Sequence, residues 1–313
     1  MSLVNAIDLV READAKSTAV LSFVCIDYNE ARAVVNAAER TGKPAIVMLL
    51  PEYVTNYSLN GFGEFAAMVK FMAEHTDARI GLHLDHSYDE EEVRWAIECG
   101  FTSVMFDASR DDLETNIRRT RAVVEYAHAR GVAVESELGS VGLASERWGE
   151  RTDLFTKPDA VALFCRETGV DSLAIAIGTS HGAYKFKPGT KPQLRFDILA
   201  EVEKRLPGFP IVLHGSSSVP QKFVDLINKY GGQMPDAIGV PEEMLREAAR
   251  MAVCKINIDT DLRMAMTASI RQHFAEHPDH FDPRQYLKPA REAIKEMVKH
   301  KIIDVLGCDG KAE

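Results

Sequence analysis

Eight short apolar runs recur along this 313-residue chain, each followed by a longer segment of helical character. The runs are Val20–Phe23, Ile46–Leu50, Ile80–Asp85, Ser103–Asp107, Ala133–Glu137, Ser172–Ile177, Ile211–His214 and Cys254–Asn257. Helical patterns cover Asn29–Arg40, Glu64–His75, Asp89–Cys99, Leu113–Arg130, Pro158–Thr168 and Phe196–Arg205, with Gly42, Gly100, Gly131 and Gly169 at the stop position that helices favour. The runs are nearly continuous in apolar character, as parallel strands covered by helices are. Eight such units without a long linker predict a closed (β/α)8 barrel of the α/β class, one domain over residues 1–313. An open doubly wound sheet is the competing arrangement. Its usual GxGxxG phosphate turn is missing from the N-terminal third.

Composition narrows the functional classes. Hydrophobic residues make up 46% and charged residues 27%, enough to build a large core without staples. A formal charge of −10 disfavours nucleic acid and anionic membrane as partners. Apolar runs such as Ala45–Leu50 fall far below the roughly 20 residues that span a bilayer. The N-terminus lacks the basic-then-apolar pattern of a secretory signal, and the five scattered cysteines form no CxxC. Reduced thiols and a cytoplasmic location are the expectation.

Two stretches break the rhythm: residues 139–156, long and charged after the fifth strand, and Tyr230–Pro241, rich in Gly and Pro. Insertions of this kind are often lids or binding loops. The tail from 281 to 313 contains a further helix, about Pro289–His300, expected to dock on the barrel or on a partner subunit.

In a (β/α)8 barrel the C-terminal ends of the strands carry the active site. Here those ends read His83-Leu84-Asp85-His86, Asp107, Glu135-Ser136-Glu137, Gly178 to Gly182, His214-Gly215-Ser216-Ser217 and Asn257 to Asp261. His86, His181 and His214 follow three different strands and can converge on one cation, with zinc the most natural ion. His83 reads as a group that orients others, and the remaining histidines as solvated. Asp85, beside a histidine ligand, is placed for general acid/base work. Asp107 and Glu137 suit either a second metal position or orientation of the histidines. Glu146 and Glu150 lie in the long loop, where an acid can reach the substrate after closure. Gly182, Lys185, Gly215, Ser217, Asn257 and Thr260 offer N–H groups, hydroxyls and charge in the usual phosphate region of such barrels. These parts suit C–C cleavage of a phosphorylated ketose. They suit metal-dependent isomerisation or hydrolysis as well.

At these residues the sequence resembles the class II, metal-dependent fructose-bisphosphate aldolase family. The motifs are HLDH (83–86), VESELG (134–139), GTSHGAYKF (178–186), HGSSSVP (214–220), YGGQMPDAIGVP (230–241) and KINIDTDLRMAM (255–266). The resemblance implies a zinc-dependent barrel that cleaves ketose phosphates to dihydroxyacetone phosphate and an aldehyde. It implies one zinc per subunit on His86, His181 and His214, a secondary metal position at Asp107 and Glu137, and Asp85 as the acid/base at the C4 hydroxyl. Glu146 would be the mobile-loop acid. Gly182, Lys185, Gly215, Ser216, Ser217, Asn257, Asp259 and Thr260 would contact the dihydroxyacetone phosphate end, some around a Na+ or K+ ion. Arg263, and Arg284 from a neighbouring subunit, would meet an anion at the far end of the substrate, which implies a homodimer or homotetramer.

The chain departs from the family pattern at three places. The first strand reads Ser22-Phe23-Val24-Cys25-Ile26-Asp27 where the family has AFNVNN, the second ends Leu49-Leu50-Pro51-Glu52 in place of a Ser-Gly element, and Gly142-Leu143 replaces a Gly-Gly. Leu50 cannot donate a hydrogen bond and Glu52 repels a phosphate that it faces. A ketose 1-phosphate with a different, even acidic, aldehyde half therefore competes with fructose 1,6-bisphosphate as the substrate.

Overall fold

Strands β1 (Val20–Val24), β2 (Ala45–Leu49), β3 (Ile80–Ser87), β4 (Ser103–Phe106), β5 (Ala133–Leu138), β6 (Ser172–Ile175), β7 (Ile211–Leu213) and β8 (Val253–Ile258) pair in chain order. The parallel pairing of β8 with β1 closes them into a barrel. The computed structural model describes residues 2–54, 61–139, 141, 154–186, 189 and 191–307. The predicted (β/α)8 fold is the one observed, and all eight expected runs are strands.

The helices are α1 (Ala6–Asp14), α2 (Tyr28–Thr41), α3 (Pro51–Val54), α4 (Phe62–Glu74), α5 (Glu90–Glu98), α6 (Leu113–His128) and α7 (Pro158–Thr168), then α8 (Phe196–Arg205), α9 (Gln221–Lys229), α10 (Glu242–Arg250), α11 (Thr260–Glu276) and α12 (Pro283–His300). Asp27, Asp89 and Asp112 cap the N-termini of α2, α5 and α6 through their side chains. Gly42 and Gly169 end α2 and α7 in the left-handed conformation. The caps of α5 and α6 leave Asp85 and Asp107 free for other work.

Two packing layers set the barrel's ends. Helix α1 packs Leu9 and Val10 against Val20, Ile46 and Cys254 at the bottom, where the strands begin. Inside, Met105, Ala174 and Val212 form a small apolar layer. The polar groups above that layer are thereby kept from water on their lower side.

The tail differs from expectation at its start. Helix α12 begins at Pro283, not near Pro289, because Asp282 and Gln285 form a capping box and Pro283 takes the first turn; Pro289 then lies inside the helix. The helix packs on α2 and α11 of its own chain and runs into a wider π-helical turn, Lys301–Val305. Cys25, Cys99, Cys165 and Cys254 are free thiols, and no helix among the described residues is long and apolar enough to cross a membrane.

Candidate active site

The period of a strand turns consecutive side chains to opposite faces. Asp85 and His86 are consecutive, yet both line the same cavity. The register of β3 on β4 shifts between Leu84 and Ser87, and His86 takes a φ of 39°. This bulge re-aims one residue and brings an acid and an imidazole to the same rim.

His86, His181 and His214 converge as expected. One ring nitrogen from each lies within 4.8 Å of the others. His214 Nδ1 is 2.8 Å from His86 Nε2, and the His86 ring is edge-on to both of its neighbours. Burial and the neighbouring His86 charge hold the imidazolium forms of His181 and His214 below the ordinary range. Burial would do the same to His86, but Asp85, Asp107 and Glu137 raise it to about 9. Three imidazoles, two buried and that of His181 half-buried, thus share a site with carboxylates that favour one positive charge among them. The donor set fits a divalent cation bound by neutral imidazoles, which displaces that proton on binding.

The acids divide by layer. Asp107 Oδ2 is 3.3 Å from His86 Nδ1, and Asp107, Glu137 and His86 form a second group whose ligand atoms lie within 4.8 Å. Glu137 also accepts the Val141 N–H at 2.9 Å. Below them is a pair not foreseen from the sequence. Glu135 lies 2.7 Å from His214 Nε2 through one oxygen and accepts from Lys255 Nζ at 2.9 Å through the other. Glu135 and Lys255 are 2% and 1% exposed, so neither charge is stable there without the other. A signal was present. Period 2 puts Glu135 on the face of Glu137, and Lys255 on the face of Asn257. His83 bonds Ser103 at 2.7 Å, and His83, Asp85 and Glu135 form a third group whose candidate ligand atoms lie within 4.8 Å, one of which, Glu135, bonds His214.

Asp85 is 4% exposed and accepts from Asn257 Nδ2 at 3.1 Å. Burial raises its carboxyl, but His86, His214 and Lys255 outweigh burial and hold it below the usual carboxylate value. It is therefore held in its ionised form at the cavity wall.

The cavity measures about 520 Å³. Gly182, Lys185, Gly215, Ser216, Ser217, Asn257, Asp259 and Thr260 all line it, as expected. Gly215 has a φ of 60°, and a Cβ there would sit 2.7 Å from the Ser180 backbone, so only glycine lets the rims of β6 and β7 approach. Lys185 Nζ donates to the Ser180 carbonyl at 2.5 Å, and burial lowers its ammonium to about 8. The Ser216 hydroxyl, in contrast, is turned to the Leu213 and His214 carbonyls.

Val24, Leu50, Glu52 and Tyr53 line the cavity on its β1–β2 side, across the barrel from β6, and Arg263 lies between them and Asp259. Arg263 bonds Asp259 at 2.7 Å, hydrogen-bonds the Tyr53 hydroxyl and stacks on its ring. Tyr53 is a third residue not foreseen from the sequence. Arg284 does not line this cavity; it is 90% exposed and bonded to Asp282. Glu146 and Glu150 lie outside the described residues.

A parallel eightfold barrel with three histidines, an ionised aspartate and a glycine-serine rim around one cavity defines a metal-dependent lyase of the class II aldolase kind. The chain belongs to that family: the model for "Fructose-bisphosphate aldolase class-II" matches residues 4–311. It is 44% identical to a fructose-bisphosphate aldolase of Treponema pallidum, over 100% of this chain and 98% of the relative. It is 41% identical to a fructose-bisphosphate aldolase of Thermus caldophilus, over 99% of this chain and 100% of the relative. Among solved structures it resembles the YdjI aldolase of Escherichia coli K12, at a TM-score of 0.75 and 29% identity, covering 99% of this chain and 100% of the other.

Proposed function

We propose that this aldolase cleaves a ketose 1-phosphate reversibly to dihydroxyacetone phosphate and an aldehyde, and that the aldehyde half need not carry a phosphate. The carrying observation is the asymmetry of the cavity. Its Gly182–Lys185 and Gly215–Ser217 end offers N–H groups, a hydroxyl and a buried ammonium. Its far end offers Val24, Leu50 and Glu52, and an Arg263 already engaged by Asp259 and Tyr53. A phosphate dianion gains from the first surroundings and little from the second.

His86, His181 and His214 would hold the ion, taken to be zinc from the all-imidazole donors. Bound there, the cation supplies Lewis-acid polarisation of the ketose carbonyl. Asp85, ionised and fixed by Asn257, takes the proton of the C4 hydroxyl as the C3–C4 bond breaks and returns it in the condensation direction. Glu146 would exchange the proton at C3. A Na+ or K+ ion at the phosphate rim fits the carbonyls and the Asp259 carboxylate there. Arg284, turned away from its own cavity, suits a contact made in a homodimer or homotetramer.

Dihydroxyacetone phosphate release is measured across ketose 1-phosphates and ketose 1,6-bisphosphates, before and after chelation. The expected result is metal-restored release, with kcat/KM at least as high for the monophosphates. Release of no dihydroxyacetone phosphate from any of them overturns the assignment. An isomerase or hydrolase would give other products from the same panel.

A further inference from the structure

The end of the chain reaches the rim that is read above as the phosphate site. Lys301, in the π-helical turn after α12, is fully buried. Its ammonium lies 3.1 Å from Asp261 Oδ2, is 2.7 Å from Glu242 Oε1, and hydrogen-bonds the Ser218 hydroxyl. Asp261, also fully buried in the first turn of α11, accepts the N–H of Ser218 at 3.0 Å and the N–H of Val219 at 2.8 Å. These two amides directly follow the Gly215–Ser217 turn. Val219 is held at a φ of 50°, a conformation that a β-branched residue takes only under constraint.

The chain of contacts has one direction of dependence. A carboxylate that grips two consecutive amides fixes the backbone between β7 and α9. Without a buried cation beside it, Asp261 is an uncompensated charge away from water, and its grip on the two amides loosens. The bonds that leave Ser217 meet the same segment from the other side. Ser217 Oγ accepts the Asp259 N–H at 3.2 Å, and the Ser217 carbonyl accepts the Val240 N–H at 3.1 Å. Glu242 bridges Lys301 to the Ser218 hydroxyl, and His300 bonds the other Glu242 oxygen at 3.0 Å.

We propose that Lys301 is a positioning residue for the phosphate end of the substrate: through Asp261 it sets the backbone N–H groups of the Gly215–Ser217 turn in the direction that a bound phosphate needs. The inference rests on the functional reading given above. It assigns to the C-terminal tail a part in substrate affinity beyond that of a packing helix.

The test compares wild-type enzyme with Lys301→Met, full-length and metal-loaded, on a ketose 1-phosphate and on the same ketose without phosphate. The expected result is a KM raised about tenfold or more for the phosphorylated ketose, kcat changed by less than about threefold, and no change in kcat/KM for the unphosphorylated one. Inhibition by inorganic phosphate should weaken in parallel. Lys301→Met leaves Asp261 unpaired and can fail to fold, so Lys301→Met/Asp261→Asn removes both charges; it should fold and show the same KM rise. Wild-type KM in whichever variant folds, or equal losses on both ketoses, overturns the inference. Wild-type enzyme that releases no dihydroxyacetone phosphate overturns the functional reading instead, and the inference with it.

Discussion

Glu135 stands 2.7 Å behind His214, on the ring nitrogen opposite the one that faces His86. A carboxylate at that distance favours the proton on Nε2, which would leave Nδ1 as the lone-pair donor toward the metal position proposed above. Lys255, 2.9 Å away, keeps Glu135 ionised well below the usual glutamate value despite its complete burial. A barrel-interior ion pair thereby favours one tautomer of a proposed ligand at the rim.

Glu135→Gln should weaken metal affinity by about 10–100-fold, since an amide is a poorer acceptor for the imidazole N–H. The variant also strands the Lys255 ammonium, so Lys255→Met is combined with it to preserve folding. Metal content is measured against a graded chelator. Unchanged affinity in the folded double variant would show that His214 needs no such partner.

Asp85→Asn retains the shape beside Asn257 and removes the base. Turnover should fall by about 10²–10⁴-fold while metal content stays at the wild-type level, because the three histidines are intact. Loss of the metal together with activity would place Asp85 among the ligands and contradict its role in proton transfer.

Glu52→Gln takes a negative charge from the far end of the cavity. At this exposed, solvent-screened site the change is worth at most about 1 kcal/mol toward an incoming dianion. The kcat/KM for a ketose 1,6-bisphosphate should rise roughly fivefold relative to a ketose 1-phosphate, with the gain shrinking in salt. An unchanged ratio would mean that Glu52 does not face the aldehyde half.

Glu30, capping α2 from within, is 1% exposed, and burial raises its carboxyl from 4.5 to about 7, with Asp27 and Asp259 adding to the effect. A group whose folded pKa lies above its unfolded one favours the folded state below about pH 4.5. That contribution is lost as the pH rises through 7, up to about 3 kcal/mol for such a shift. Glu30→Gln keeps the acceptor for the Ile26 N–H and should raise the melting temperature at pH 8 but not at pH 4.5. An equal effect at both pH values would disprove a titration origin.

The order of strands, the location of the rim and its three histidines were legible in the amino-acid sequence, because parallel strands and their helices carry local patterns and a barrel puts its chemistry at one end of each strand. Local pattern could not reveal that a bulge turns Asp85 and His86 to the same side, that Tyr53 stacks with Arg263 across 210 positions, or that Lys255 neutralises Glu135 across 120. Those depend on barrel closure, which brings β8 beside β1 and carries α12 across α2. Charge pairing inside a closed cylinder is a property of distance in space, and no period along a chain encodes it.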